Sequence, residues 1–497
     1  MLAQLRNLAR HSAAYTVGSM IAKAFAFLLV PIYTRFMGQG DYGAWVLLHA
    51  GAAVLAVLYE LGISSSLMRH YYDFDDEEDR RRYVGTIWIF SSVMTAVISA
   101  GLLTAGRPLL ERLFTGIDFW PFVALVIVAI FLSTSNTIPW VLMRIHEQST
   151  RFVLLVAAQS LLLLAGVLVF VVVLDLGLLG AVLALTAQSV VIYVFFTAYT
   201  LRHASLHIVW GYIGLSMGYG FPVLLLQAGW WVLDAADRFI LRFLTSLEVV
   251  AVYSVGYAIG RVLIMVSQAI NQAWTPFFFK TVKEDRPDAK EVFTYTATYF
   301  TLIISGFALV VVVFARWAVL FFGGHAYLDA TQVTPFVALG AVAQGMFYVP
   351  SRGLFLQKKT GWFPAILAVG AVTNVGLNFA LIPPFGMIGA ALATLAGYVV
   401  TVALTFVISQ RYYRVEYQVS RLARILGVLV AVTALSLLVV PGRWYTLLAW
   451  QVVLLVAAPL ALVATGFVER REWRALRNAW RSRRDRYHKR VDDLEEG

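Results

Sequence analysis

The sequence predicts an all-α integral membrane protein of about 14 transmembrane helices, arranged as two parallel six-helix lobes followed by two C-terminal helices. Three observations carry that expectation. Hydrophobic residues fill 60% of the 497 positions and charged ones only 13%, at a mean hydropathy of +0.77; soluble domains carry about a quarter charged residues. Fourteen apolar runs are long enough to span a membrane, centred near Phe25, Leu55, Val93, Val128, Leu161, Leu185, Leu225, Arg261, Ile303, Val342, Leu367, Leu395, Val430 and Leu455; a span needs roughly 20 residues. Finally, parts of the first half recur in the second.

The first run follows Arg6 and Arg10 and continues from Ala13 to Phe36 without a small-residue cleavage site. It is too long for a signal-peptide core and reads as a retained first helix. Basic residues then set the orientation. With the N-terminus in the cytoplasm, inner segments hold thirty of the 39 lysines and arginines and outer turns hold seven, while Lys23 and Arg261 lie inside spans. That asymmetry places both termini in the cytoplasm and the protein in the cytoplasmic membrane as a multi-pass chain. The net charge of +11 is therefore mostly topology. A nucleic-acid groove, with clustered cations and aromatic platforms, is not expected.

The repeat sets the domain organisation. Arg35-Phe36, Asp41 and Ala44 recur as Arg242-Phe243, Glu248 and Ala251, and Gly177, Gly180, Ala181, Leu183 and Ala184 recur as Gly386, Gly389, Ala390, Leu392 and Ala393. The offsets, 207 and 209, cover six helices. An even number keeps the two copies in the same orientation, related by an axis along the membrane normal. The expected division is residues 1–205 and 206–412 as the two lobes, 413–468 as helices thirteen and fourteen, and 469–497 as a basic amphipathic tail on the inner leaflet. The mixed-charge stretch from Asp73 to Arg82 reads as a solvated turn.

Polar residues inside the spans mark the candidate site. In helix eight Ser254, Tyr257, Arg261, Gln268, Gln272 and Thr275 share one face, and in helix one Ser12, Tyr15, Thr16, Ser19 and Lys23 do the same. A cation at mid-bilayer costs about 2.5–3.5 kcal/mol and persists where it faces a cavity or a partner. Both stripes turned to the lobe interface make a positive chamber suited to an anionic headgroup such as a pyrophosphate. Other arrangements remain open at this point. Lys23 has Glu60 as an alternative partner, and Arg261 has Asp234 or Asp237. Asp234 and Arg238 stand at i, i+4 and suit an intrahelical ion pair. Glu60, Asp234 and Asp237 are also the candidates for a coupling ion or proton. Ser133 to Thr137, before Pro139, suit a loosened helix four, and Asn374 and Asn378 suit a bridge between helices. Cysteine is absent, histidines lack ligand spacing, and no phosphate loop, zinc-protease or nucleophile-elbow motif occurs. No catalytic residue, metal or cofactor is expected.

The segments Leu29-Val-Pro31-Ile-Tyr33-Thr34-Arg35 through Asp41-Tyr42-Gly43, Asp237-Arg238-Phe-Ile-Leu to Val252-Tyr253-Ser254, and Thr373-Asn374-Val-Gly-Leu-Asn378 through Gly386-Met-Ile-Gly389-Ala390 to Thr394 resemble bacterial polysaccharide flippases of the Wzx type. That family lies in the multidrug/oligosaccharidyl-lipid/polysaccharide exporter superfamily. The resemblance covers nearly the whole chain. It implies flipping of an undecaprenyl-pyrophosphate-linked oligosaccharide to the outer leaflet, with Lys23 and Arg261 meeting the headgroup; from the polar faces themselves, Tyr257, Gln268, Gln272, Asp237 and Arg238 are the further cavity candidates. It also implies membrane lipids, a polymerase and glycosyltransferases as partners. The related murein-lipid flippases carry a cation on helix two, where this chain has Glu60. Two rival readings are an ion-coupled drug/cation antiporter of the same superfamily and a membrane polysaccharide polymerase.

Overall fold

The computed structural model describes residues 2–135, 137–284, 289–439, 442–469 and 472, with side chains from Ala14 onward except at 276, 279, 283 and 289. The expectations for Ser12, for Asn136 and for the tail beyond Glu472 therefore lie outside the described residues. Twelve helices among those described are long and apolar enough to cross a membrane. One of the twelve, Trp362–Tyr412, turns at Gly386 into two arms. The 35-residue helix Trp210–Leu244 matches the others in length, although glycines and aromatics dilute its apolar run and four charges close it. With that bend and that helix included, the described residues make fourteen spans.

They are α1 (Leu2–Phe36), α2 (Gln39–Asp73), α3 (Glu77–Leu103), α4 (Phe119–Ile145), α5 (Ser149–Val173), α6 (Gly177–His203), α7 (Trp210–Leu244), α8 (Leu247–Lys283), α9 (Ala289–Val313), α10 (Ala330–Leu356), α11 and α12 (the arms 362–385 and 387–412), α13 (Val419–Leu438) and α14 (Trp444–Ala464). Large apolar side chains cover the surface as well as the core, and some polar ones are fully buried. Val173, Val372 and Leu438 are 74%, 72% and 81% exposed, while Asn374, Asn378 and Asp237 are fully buried. An apolar skin is what hydrocarbon solvent selects, and each polar group within the mostly apolar interior must find its partner inside the protein. The chain is a multi-pass membrane protein.

Local breaks fall where the sequence supplies a way to satisfy the backbone. In α2 the helix steps through left-handed Leu61 and Gly62. A Cβ at Gly62 would meet the Gly220 carbonyl oxygen at 2.2 Å, so only glycine lets α2 and α7 cross there. Where α4 loosens before Pro139, Ser133 and Ser135 return hydrogen bonds to the carbonyls of Ile130 and Phe131 at 3.1 and 2.7 Å. Between α2 and α3, Arg69–Asp73 and Arg82–Glu78 pair on the surface, an arrangement of small energetic weight.

Packing divides the chain into two units, 1–277 with 315–414, and 278–314 with 415–497. In the first unit α1 packs on α5, α4 on α6, and α7 on α11 and α12. The repeat is visible in its backbone: Gly177 and Gly386 both take positive φ, 51° and 55°. Three residues on, Gly180 and Gly389 both lie where a Cβ would strike a carbonyl oxygen, of Phe170 at 2.6 Å and of Leu381 at 2.1 Å. In the second unit α9, α13 and α14 share a core of Val313, Val432, Leu454 and Ala458, and Gln451 donates to the Val313 carbonyl at 2.8 Å. Arg421 of that unit is 4% exposed and lies between Glu472 and Glu469, at 2.8 and 3.3 Å.

Candidate functional site

Helical spacing alone brings the polar residues of α8 to one side. The first part of this face meets α7. Arg261 donates to the Asp234 carboxylate at 2.6 Å, and the Tyr398 hydroxyl of α12 donates to the other oxygen of the same carboxylate. Tyr257 donates from its hydroxyl to the Asp234 backbone carbonyl at 3.0 Å. Its ring carries the Arg238 guanidinium at 4.2 Å and the Arg261 guanidinium at 5.5 Å from its centroid. Ser254 turns inward to its own helix, donating to the Val250 carbonyl at 2.7 Å.

Arg238 does not pair with the Asp234 carboxylate. It donates to the Asp234 backbone carbonyl at 2.7 Å and to the Asp237 carboxylate at 3.1 Å. The i, i+4 spacing brings Arg238 to the Asp234 carbonyl and its neighbour in sequence supplies the Asp237 carboxylate, while Arg261 and Tyr398 already occupy the Asp234 carboxylate. Asp237 is fully buried and also accepts from Tyr253 and, at 3.2 Å, from Thr394. Asn374 donates to Thr394 at 3.2 Å, and Asn378 donates to the Asn374 backbone carbonyl at 2.9 Å, so the asparagine pair bridges α11 to α12. Two carboxylates thus face two guanidiniums, and the charge of this cluster sums to zero. A buried arrangement of that kind holds only while each member keeps its partner.

The second part of the face meets α1 and α10. Lys23 donates to the Gln268 side-chain oxygen, and Thr16 donates to Gln272. Arg352 of α10 donates to Asn271 and to Thr275, both at 2.8 Å. Tyr348, one turn before Arg352, hydrogen-bonds Gln268. Here the cations lean on amides and hydroxyls, and their charge remains. Lys23 lies within electrostatic reach of Arg261.

Glu60 lies elsewhere. It lines a cavity of about 570 Å³ inside the first half of the chain, with Phe25, Trp140, Arg144, Gln159 and Gln188 on the walls. Tyr15, on the helix-one stripe, donates to the Met143 carbonyl at 3.2 Å. The structure therefore brings together Lys23, Gln268 and Gln272, and separately Tyr257, Arg261, Asp234, Asp237 and Arg238. Tyr398 and Arg352 were not expected. Thr394, Tyr398, Thr401, Thr405 and Ser409 form a polar stripe at helical spacing that marks Tyr398 in the sequence. Arg352, between Pro350 and Gly353, reads as one of the inner-loop cations, and its face is fixed only by the fold.

A family profile described as "Polysaccharide biosynthesis protein" matches residues 8–282, more than half of the chain. The chain belongs to that family. A second profile, MatE, matches residues 222–380. The Haemophilus influenzae protein "Lsg locus putative protein 1" is 20% identical over 304 residues, 59% of this chain and 71% of the relative. Among solved structures, the lipid II flippase MurJ in an inward closed conformation superposes with a TM-score of 0.72 at 11% identity, covering 91% of this chain and 98% of MurJ. An inward-facing multidrug resistance MATE transporter superposes at 0.63 with 16% identity, covering 82% of this chain and 96% of the other. The fold is that shared by MurJ and the MATE transporters.

Proposed function

We propose that this protein moves an oligosaccharide carried on undecaprenyl pyrophosphate from the cytoplasmic to the outer leaflet by alternating access. The observation that carries the reading is the cationic second part of the α8 face, where positive charge is held inside an apolar protein by neutral groups. An anionic headgroup is the ligand such a face attracts. Membership of a polysaccharide biosynthesis family supports a glycan cargo. The lobes 1–205 and 206–412 rock against one another, both termini face the cytoplasm, and the chain sits in the cytoplasmic membrane. The polyprenyl tail stays apolar throughout. In the second unit α9, α13 and α14 enclose a cavity of about 350 Å³ lined by Leu302, Leu309, Val428, Leu455 and Pro459, which suits a hydrocarbon chain. A polymerase and glycosyltransferases of the same glycan act beside it.

The MatE match favours a second reading, an ion-coupled exporter of organic cations. Such a protein needs carboxylates open to its cargo. Here Asp237 is fully buried on Arg238 and Asp234 is held by Arg261, which weighs against cation binding. Deleting the gene and locating the lipid-linked glycan tests both. Accumulation on the cytoplasmic leaflet is expected. Normal leaflet distribution with lost efflux of organic cations overturns the flippase reading, and glycan reaching the outer leaflet unpolymerised points to a polymerase.

A further inference from the structure

We propose that the cavity inside the first half of the chain is a sugar subsite, taking one neutral pyranose of the glycan between Glu60 and Arg144. The proposal rests on the lipid-linked reading above and names where a ring of the cargo sits. The cavity measures about 570 Å³, within the ~300–1,000 Å³ range of small-molecule sites. Its walls come from α1, α2, α4, α5 and α6, and among the described residues none comes from α8. It is therefore a compartment of one repeat, separate from the cationic face.

Its charges decide the ligand. Glu60 is half-buried in a membrane span, and among the described residues it makes no hydrogen bond or ion pair. A carboxylate left bare there is costly unless a polar group reaches it. Arg144 lines the same cavity, over the Phe152 ring at 5.1 Å, and pairs with no described carboxylate. The two charges share a cavity without touching, which leaves a gap between a strong acceptor and a strong donor. A neutral ring with adjacent hydroxyls fills that gap, donating to Glu60 and accepting from Arg144 in charge-assisted bonds. An organic cation meets Arg144 as a like charge, and an anion meets Glu60 as one.

The remaining walls suit a sugar as well. Gln188 uses its amide N–H on the Gln159 backbone carbonyl at 3.0 Å, which leaves its side-chain oxygen and the Gln159 side chain for hydroxyls. Phe25 and Trp140 offer flat apolar surface to the C–H face of a pyranose, while Ala22 and Ala26 of α1 keep the space open. Glu60 is the last residue before α2 breaks at Leu61 and Gly62, and irregular backbone at that depth is tolerated where it is buried in protein or lines a cavity. Ala22 is followed by Lys23, about 100° further round α1, so the cavity adjoins the cationic face proposed for the headgroup.

The test is saturation-transfer NMR on the full-length protein in nanodiscs, with the methyl glycosides of glucose, galactose, mannose and N-acetylglucosamine. Saturation of ring C–H protons is expected for at least one of them. Glu60→Gln and Arg144→Gln should each weaken that sugar by about tenfold. Ala26→Phe fills the space while keeping both charges and should abolish the signal. Variants are taken forward only with a melting profile like wild type, and Ala22→Leu serves where Ala26→Phe does not fold. No saturation from any of the four sugars overturns the subsite, as does unchanged affinity in either folded glutamine variant. Tetraphenylphosphonium that binds more tightly than the sugar and weakens in Glu60→Gln also overturns it, because the cavity then takes cations. If a sugar binds and the variants weaken it while cells lacking the gene keep a normal leaflet distribution of glycan, the subsite stands and the lipid-linked reading falls. If the subsite fails while those cells accumulate glycan on the cytoplasmic leaflet, that reading survives without it.

Discussion

Arg35 and Arg242 stand 207 positions apart and make the same bond from opposite halves of the repeat. Arg35, at the end of α1, donates to the Phe321 carbonyl at 3.0 Å in the short helix Ala315–Phe322. Arg242, at the end of α7, donates to the Thr115 carbonyl at 2.8 Å, just after the short helix Arg107–Leu113. Aromatic pairs repeat the pattern: Phe322 meets Phe27 with ring centroids 4.2 Å apart, and Phe114 meets Phe239 at 5.8 Å. Each half latches the other at one end of the bundle. With the orientation proposed above, this is the outer mouth.

Removing both latches should favour opening at that end. Hydrogen bonds to charged groups contribute about 1.5–3 kcal/mol each, enough to shift a two-state balance tenfold or more. The chain has no cysteine, so one introduced thiol reports alone. Maleimide labelling of Met37→Cys, a buried position two residues after Arg35, should rise several-fold in Arg35→Ala/Arg242→Ala and by less in either single variant. Equal labelling in all four backgrounds would show that the latches do not hold the mouth shut.

The two carboxylates of the neutral cluster should differ in structural weight. Asp237 is fully buried, and Asp237→Ala strands Arg238 and the Tyr253 hydroxyl. Breaking such a pair costs about 3–5 kcal/mol. Asp234 and Arg261 keep 24% and 35% of their side-chain surface exposed, so water compensates part of the loss in Asp234→Ala. Melting in detergent should therefore fall much further for Asp237→Ala. The reverse order would mean that Asp237 is not the better-buried partner.

Three glycines separate close contact from backbone strain. A Cβ at Gly43 would lie 1.9 Å from the Leu247 carbonyl oxygen, so Gly43→Ala must push α2 from the start of α8. Gly386 has open space but φ of 55°, and its alanine should cost about 1–2 kcal/mol of backbone strain. Gly376 lies within α11 in open space without positive φ, and its alanine should stabilise by up to about 1 kcal/mol. Melting temperatures in the order Gly376→Ala, wild type, Gly386→Ala, Gly43→Ala check the account.

Glu472 should make the second unit sensitive to acid. Burial works against its carboxylate, but hydrogen bonds from Tyr299, the Glu469 backbone N–H and Arg421 outweigh burial and hold it below the usual glutamate range. A lowered folded-state value stabilises above the unfolded value, about 4.3, and the contribution disappears as pH falls through the folded one. The melting temperature of wild type should drop between about pH 5 and 3, by more than that of Glu472→Gln. Parallel profiles would remove Glu472 from the account.

The sequence by itself determined the membrane class, the count of spans, the repeat and the face of α8 that carries polar groups. Each of these is a matter of length, period or offset along one chain, which hydrocarbon thickness and helical pitch impose locally. Tertiary structure alone decided which cation keeps its charge. Lys23 and Arg261 look alike in sequence, each a lone cation in an apolar run, yet one meets an amide and the other a carboxylate. Arg352 reads as a loop cation until α10 lays it against Asn271 and Thr275. Those partners lie 27 to 245 residues away on other helices, and no local pattern encodes the meeting. Pair energies depend on distance and on the partner's charge, and both are properties of the folded arrangement.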